Sequence, residues 1–124
     1  MLIYEQESYQ ILGAAMKVHS ELGPGFTEKV YQEALAIEFA ERGIPFVREK
    51  EIHAIYKGIV LDGTFIPDFI CDDKIIVELK AVKELDDVNR SQAINYAKIA
   101  GCNLSLLINF GESSLVKERF PIRA

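Results

Sequence analysis

The sequence contains few of the residues that build zinc centres and disulfides. Its 124 residues include only two cysteines, Cys71 and Cys102, and two histidines, His19 and His53. No pair among them has the close spacing of a Cys-x-x-Cys or paired-histidine zinc site, which argues against that class of metal centre. Two cysteines in a chain without a secretory signal are expected to be reduced and buried.

Long hydrophobic runs and an excess of basic charge are also missing. No apolar stretch approaches the roughly 20 residues that cross a membrane, and residues 1–7 do not resemble a signal peptide. We therefore expect a cytoplasmic protein without a membrane partner. The 14 Lys and Arg against 19 Asp and Glu give a net charge of −5. A simple nucleic-acid binder would carry a basic surface, so composition alone does not predict one.

The length suits one domain with a real core, and we expect residues 1–124 to form a single domain. The apolar stripes of the predicted helices include Met16, Val30 and Ile37. A continuous apolar run over 104–110 indicates a buried central strand. The predicted class is α/β, a mixed sheet flanked by helices in the order ααβββαβ with an optional last strand. The predicted helices are 5–22, 28–42 and 86–100, and the predicted strands are 46–56, 59–71, 74–82, 104–110 and 115–122.

Two acidic residues are expected to face each other across a hairpin. Asp72-Asp73-Lys74 is the plausible turn between two runs rich in Ile, Val and Phe. If the hairpin closes around that turn, Cys71 pairs with Ile75. Asp68 then lies opposite Glu78, with Cβ atoms about 4.5–5.5 Å apart. A shift of register by one residue would turn Asp68 away from Glu78.

The charge on this hairpin indicates a metal site. Two carboxylates held so close destabilise the fold unless a proton or a cation lies between them. Lys80 projects from the same face as Glu78, whereas Val77 and Leu79 point to the other face, against a core. Mg²⁺ held by one or two carboxylates and by phosphate oxygens fits such a site. The alternatives are a solvated Asp68 and a surface ion pair between Glu78 and Lys80, although charge on a covered strand is costly unless it is paired.

The ordered motifs resemble those of the PD-(D/E)XK nuclease superfamily. Pro67-Asp68 and Glu78-Leu79-Lys80 match its signature, and residues 25–31, Gly-Phe-Thr-Glu-Lys-Val-Tyr, resemble the motif of the small GxxExxY proteins. Residues 18–25 and 106–110 are also like that family, so the resemblance covers about residues 8–120. It implies a restriction-endonuclease-like core and a nuclease that hydrolyses phosphodiester bonds in DNA or RNA, with DNA favoured as the partner.

The superfamily pattern implies roles for the signature residues. Asp68 and Glu78 would bind Mg²⁺ or Mn²⁺, together with the backbone carbonyl of Leu79. Lys80 would orient or activate the attacking water and stabilise developing charge. These residues form the catalytic and metal-binding set that we expect.

Five further residues enter through the same resemblance. Glu28 matches an acid that often joins the site, but an acid in the first turn of a helix is also stabilised by the macrodipole alone. Gln92 and Tyr96 resemble the Gln-x-x-x-Tyr element of RecB-like members and share one helix face. Gln92 would be catalytic and Tyr96 would bind substrate, or both would simply pack. His19 and Tyr31 are interpreted first as core residues, with a supporting role left open.

Two classes of function follow, besides a purely structural ion-pair network without a ligand, against which the intact signature argues. The first is a Mg²⁺-dependent endonuclease-like hydrolase. The second is a non-catalytic or regulatory binding module that retains the fold, a hypothesis motivated by the acidic balance and the lack of a separate DNA-binding domain. A homo-oligomer or a targeting partner would supply the targeting that so small a nuclease needs.

Overall fold

Two sheets of unequal size organise the chain. The computed structural model describes residues 2–123, which form three helices and seven strands. The helices are α1 (Glu5–Leu22), α2 (Glu28–Glu41) and α3 (Asp87–Ala100). The strands are β1 (Phe46–Arg48), β2 (Ile52–Tyr56), β3 (Ile59–Phe65), β4 (Phe69–Cys71), β5 (Ile75–Lys80), β6 (Leu104–Asn109) and β7 (Val116–Pro121). Strands β1-β4-β5-β6-β7 form one sheet in that order, and β2 and β3 form a separate hairpin.

The helices follow the predicted ranges closely, and the ends of α3 carry the clearest signals. Asp86 caps α3 by accepting a hydrogen bond from the Asn89 backbone, and the Asn89 side chain returns one to the Asp86 backbone. Gly101, at a φ of 74°, ends the helix in the left-handed conformation that glycine adopts at low cost. No helix within residues 2–123 is long and apolar enough to cross a membrane.

The predicted strands 46–56 and 59–71 were wrong, because each range contains two strands that belong to different sheets. Glu49 has a φ of 54°, which breaks the first range. Pro67 interrupts the second range, since it has no backbone N–H to donate to a ladder. The outer halves, β1 and β4, pair in the main sheet, and the inner halves pair as the β2–β3 hairpin.

The hairpin of the signature has the predicted register. Cys71 pairs with Ile75, and the antiparallel ladder continues to Phe69 opposite Val77. Asp72 and Asp73 both have positive φ, as the tight turn requires. Strand β6 runs parallel to β5 and is buried along its whole length, so the prediction of a buried central strand is confirmed.

The main sheet is covered on both faces. Helices α1 and α2 pack on one face, where the largest apolar cluster includes Tyr31, Leu35, Phe39, Val77 and Leu79. Helix α3 covers the other face through two smaller clusters, which contain Ala93 with Leu107 and Ala97 with Ile76. Cys71 and Cys102 are buried and free, as predicted. The apolar stripes were drawn too wide, because Met16, Val30 and Ile37 are 56%, 38% and 62% exposed.

Candidate active site

The candidate site forms where the ladder between β4 and β5 stops. The ladder ends at the pair of Phe69 and Val77, so the Leu79 N–H of β5 lies beyond the last paired residues. The Asp68 carboxylate takes the place of a strand partner, because Oδ2 accepts a hydrogen bond from the Leu79 N–H at 2.8 Å. In return, the Asp68 N–H donates to Glu78 Oε1 at 2.9 Å. These two bonds hold Asp68 beside Glu78.

Burial makes this pair of carboxylates costly to ionise. Glu78 is only 5% exposed. Desolvation raises the pKa of Glu78 to about 8, and the negative charge of Asp68 adds to that rise. Burial also raises the pKa of Asp68, against the lowering effect of its hydrogen bonds from Leu79 and Gln32. The charge of Lys80 lowers both pKa values. The pair therefore favours an added proton or an added cation.

Gln32 is a site residue that the sequence analysis missed. Its side chain is buried, and its Nε2 donates to Asp68 Oδ1 at 2.7 Å. Its Oε1 accepts from Arg48 Nε at 2.9 Å, which fixes the orientation of the amide. The sequence does contain a signal for Gln32. It precedes Leu35 and Phe39 by three and seven positions, so it is a polar residue on the apolar stripe of α2.

Glu28 lies one helical turn before Gln32 and is exposed. Its charge contributes to the raised pKa of Glu78, after burial and Asp68. Within residues 2–123, no three His, Cys, Asp or Glu side chains lie close enough together to hold a metal ion. The contact of α2 with Asp68 is therefore made by the Gln32 amide and not by the Glu28 carboxylate. The two acidic residues in direct contact are Asp68 and Glu78.

Gln92 and Tyr96 stand together on α3. Gln92 Nε2 donates to Tyr96 Oη at 2.9 Å. Partial burial raises the pKa of Tyr96, and the negative charges of Glu78 and Asp68 raise it further. The Tyr96 ring also stacks on Phe65, with ring centroids 4.4 Å apart. These charge effects place Tyr96 within electrostatic reach of the two carboxylates.

Tyr31 and His19 make structural contacts on the α1–α2 side of the sheet. Tyr31 is fully buried, stacks on Phe110 at 4.6 Å, and donates from Oη to the Gly23 carbonyl at 2.5 Å. His19 Nε2 bonds the Glu112 carbonyl at 2.9 Å. Tyr31 therefore stabilises the turn between α1 and α2, and His19 links α1 to the segment after β6.

Comparison with known proteins gives one family match. The family model described as the PD-(D/E)XK nuclease superfamily matches residues 5–120. No curated protein and no solved structure matches the chain. The matched range contains every residue of the candidate site.

Proposed function

Since the chain belongs to the PD-(D/E)XK nuclease superfamily, we propose that it is a metal-dependent nuclease that hydrolyses phosphodiester bonds in DNA or RNA. The observation that carries the proposal is the contact between Asp68 and Glu78, because burial raises the pKa of both carboxyl groups. A purely structural role would be served better by an uncharged pair. The narrower assignment to GxxExxY proteins belongs to the same proposal and rests on residues 25–31.

The residues present fit a divalent cation. Asp68 and Glu78 offer carboxylate oxygens, which are the ligands that Mg²⁺ and Mn²⁺ prefer. The backbone carbonyl of Leu79 is a third candidate, because the N–H of the same residue points to Asp68 and both groups of a strand residue share one edge. With only two carboxylates, the ion would keep water or phosphate oxygens as its remaining ligands. When bound, it would supply positive charge that polarises the phosphate.

The protein side chains hold the reacting groups around that position. Lys80 follows Glu78 by two residues and projects from the same face of β5, so its ammonium group would orient the attacking water and stabilise negative charge on the phosphate. Gln32 fixes Asp68 through its hydrogen bond. Gln92 and Tyr96 would contact the substrate from α3. Glu28 is exposed, so its carboxylate would contribute to the site from the solvent side.

The second candidate is a binding module that keeps the fold without turnover. The net charge of −5 favours it, since phosphate backbones bind to basic surfaces. Under the first proposal, a nucleic acid, with DNA favoured, is the substrate and a second copy or a partner delivers the domain. Under the second, the same surface binds a partner and cleaves nothing. Cytoplasmic residence remains a prediction in both cases.

Cleavage assays separate the two candidates. We expect purified protein to cleave single- or double-stranded DNA or RNA only when Mg²⁺ or Mn²⁺ is present. Glu78→Gln and Asp68→Asn should reduce the rate by about a thousandfold or more, which is ~4 kcal/mol of activation free energy. Glu33→Gln, the same change at an exposed glutamate of α2, is the matched control and should cleave normally. Metal-dependent cleavage that survives both site variants would overturn the proposal.

A further inference from the structure

Arg48 places a positive charge close to the candidate site. It lies in β1, and its Nε donates to Gln32 Oε1 at 2.9 Å. The nitrogen of the same Gln32 amide donates to Asp68 Oδ1 at 2.7 Å. The oxygen and the nitrogen of an amide are about 2.2 Å apart. Arg48 Nε is therefore at most about 8 Å from the Asp68 carboxylate.

The guanidinium of Arg48 has unused donors. Of the five N–H groups of a guanidinium, the one on Nε has a hydrogen-bond partner within residues 2–123, and the groups on Nη1 and Nη2 have none there. No ion pair of the described residues includes Arg48. The neighbouring Glu49 carboxylate pairs with Lys29 Nζ at 3.2 Å, and its pKa is lowered chiefly by Lys29, with a smaller effect of Arg48.

This arrangement suits an anion with several oxygens. Arg48 is half-buried, and a cation that is partly removed from water is stabilised by a negatively charged partner. The Gln32 amide accepts one N–H group but carries no charge. It also restrains the guanidinium plane, so less rotamer freedom is lost when a ligand binds. The donors that remain on Nη1 and Nη2 match the spacing of phosphate oxygens.

Arg48 and Lys80 approach the two carboxylates from opposite faces of the main sheet. Arg48 is paired with Phe69, whose side chain lies in the apolar cluster under α1 and α2. Lys80 projects with Glu78 from the face that α3 covers. A nucleic-acid strand with one phosphate at the carboxylates would therefore have a cation on either side. Successive phosphates of a strand follow at about 3.4 Å along the helix axis, so the position of Arg48 matches a phosphate about two nucleotides away.

We propose that Arg48 binds a phosphate of the substrate backbone about two nucleotides from the bond that is cleaved, an inference that rests on the proposed function. Nε stays on Gln32, and Nη1 and Nη2 donate to the phosphate oxygens. A contact of this kind fixes the register of the strand and carries no sequence information. It allows a chain with a net charge of −5 to hold a polyanion, because the positive charge is local to the site.

The salt dependence of binding tests the proposal. The probes are one labelled sequence as single-stranded DNA, duplex DNA and single-stranded RNA, and the tightest binder is used. Fluorescence anisotropy is measured in Ca²⁺ over a series of salt concentrations, with gels to verify that the probe stays intact. Arg48→Met removes one phosphate contact. We expect the slope of log K against log salt to become shallower by about 0.7–0.9, with roughly tenfold weaker binding at low salt.

Matched variants separate a phosphate contact from a general effect of charge or of folding. Arg42→Met removes the same charge at the far end of α2, roughly 15 Å from Gln32 along the helix, and should keep the slope. Arg48→Lys retains the charge but lacks the planar fork, so it should bind more weakly with the slope of the wild type. Arg48→Gln replaces Arg48→Met if circular dichroism shows that the latter is unfolded. An unchanged slope in the neutral Arg48 variant, or an equal change in Arg42→Met or Arg48→Lys, would overturn the proposal.

Cleavage of the same probe in Mg²⁺ distinguishes failure of this proposal from failure of the proposed function. If the wild type cleaves and the neutral Arg48 variant keeps its salt slope, the nuclease stands and the phosphate contact is wrong. If the wild type binds with the expected slopes and never cleaves, the phosphate contact stands and the nuclease is wrong. If the wild type binds none of the three probes, both are wrong.

Discussion

The two faces of strand β5 differ sharply although their residues alternate along one chain. Val77 and Leu79 point to the α1–α2 face, where both are fully buried among apolar side chains. Ile76, Glu78 and Lys80 point to the α3 face, where a buried carboxylate lies beside a half-buried lysine. The first face stabilises the fold by burying apolar side chains, whereas the second contains a carboxylate whose burial is unfavourable when it is ionised.

The helices that cover the two faces differ in the same way. Helix α1 contributes six buried residues and α2 four, whereas α3 contributes only Ala93 and Ala97. The thin cover leaves Gln92 and Tyr96 half-buried, at the side of the carboxylates. The charged side chains of β5 therefore lie on the thinly covered α3 face, and the side chains of Val77 and Leu79 lie on the well-covered face. Four changes test this division, in order of decreasing effect.

Exchanging charge and apolar side chains between neighbouring positions should have the largest effect. Leu79→Glu places a carboxylate in the apolar core, where no cation is available, and should cost at least about 4 kcal/mol of unfolding free energy. Glu78→Leu removes a charge that burial opposes and should leave the stability at pH 8 equal or higher. Urea unfolding followed by circular dichroism measures both. Similar losses for the two variants would contradict the division between the faces.

The unfolding free energy should fall as the pH rises, in the absence of divalent cations. Glu78 has its pKa raised from 4.5 to about 8, so the folded state holds a proton that the unfolded state releases. The stabilisation is complete below the unfolded pKa and is lost as the pH rises through the folded one. Between about pH 5.5 and about pH 7.5, the loss should be roughly 2.7 kcal/mol, at about 1.4 kcal/mol per pH unit.

Glu78→Gln is the control for this pH dependence, since the amide keeps the shape of the side chain and does not titrate. The variant should show a nearly flat profile over the same range, measured by urea unfolding in a series of buffers with chelator present. Millimolar Mg²⁺ should restore stability to the wild type at the higher pH and leave the variant unchanged. Parallel profiles of the two proteins would show that Glu78 is not the titrating group.

Lys80 tests the charged face without involving the core. Lys80→Met keeps the length and the apolar stem of the side chain but removes its charge. We expect the cleavage rate to fall about a hundredfold, or ~2.7 kcal/mol, with an unfolding free energy within about 0.5 kcal/mol of the wild type. Lys117→Met, at an exposed lysine of β7, should change neither quantity. A large loss of stability without a loss of rate would assign Lys80 to the fold.

Gln32 should give the smallest of the four effects. Gln32→Leu removes the hydrogen bond to Asp68 and leaves the carboxylate itself in place. The rate should fall about tenfold, or ~1.4 kcal/mol, with a shift in the concentration of Mg²⁺ required for half-maximal activity. Gln10→Leu, on an exposed position of α1, provides the comparison. If that metal dependence does not move, Gln32 does not position Asp68.

Local patterns were sufficient to predict the helices and the signature hairpin. The α3 cap and the Asp72-Asp73 turn use residues with strong local preferences, so their positions follow from short stretches of chain. The division of 46–56 and 59–71 into four strands depends on partners far away in sequence. The break at Glu49 could not be predicted from the sequence, because a positive φ at a glutamate is imposed by tertiary structure.

Only part of the site could be predicted from the sequence, for the same reason. Asp68 and Glu78 follow from the register of one hairpin, which is local. The link from Arg48 through Gln32 to Asp68 joins β1, α2 and the segment before β4, and no spacing within one element predicts it. The raised pKa of Glu78 likewise depends on how completely α3 and the sheet exclude water.

The most direct test of the account is the position of a divalent cation. A crystal of the wild-type protein soaked in Mn²⁺ should give an anomalous peak in contact with carboxylate oxygens of both Asp68 and Glu78, and the same soak of Glu78→Gln should lose it. The account is contradicted if the wild type shows no peak there and Asp68 and Glu78 keep only their bonds to the backbone.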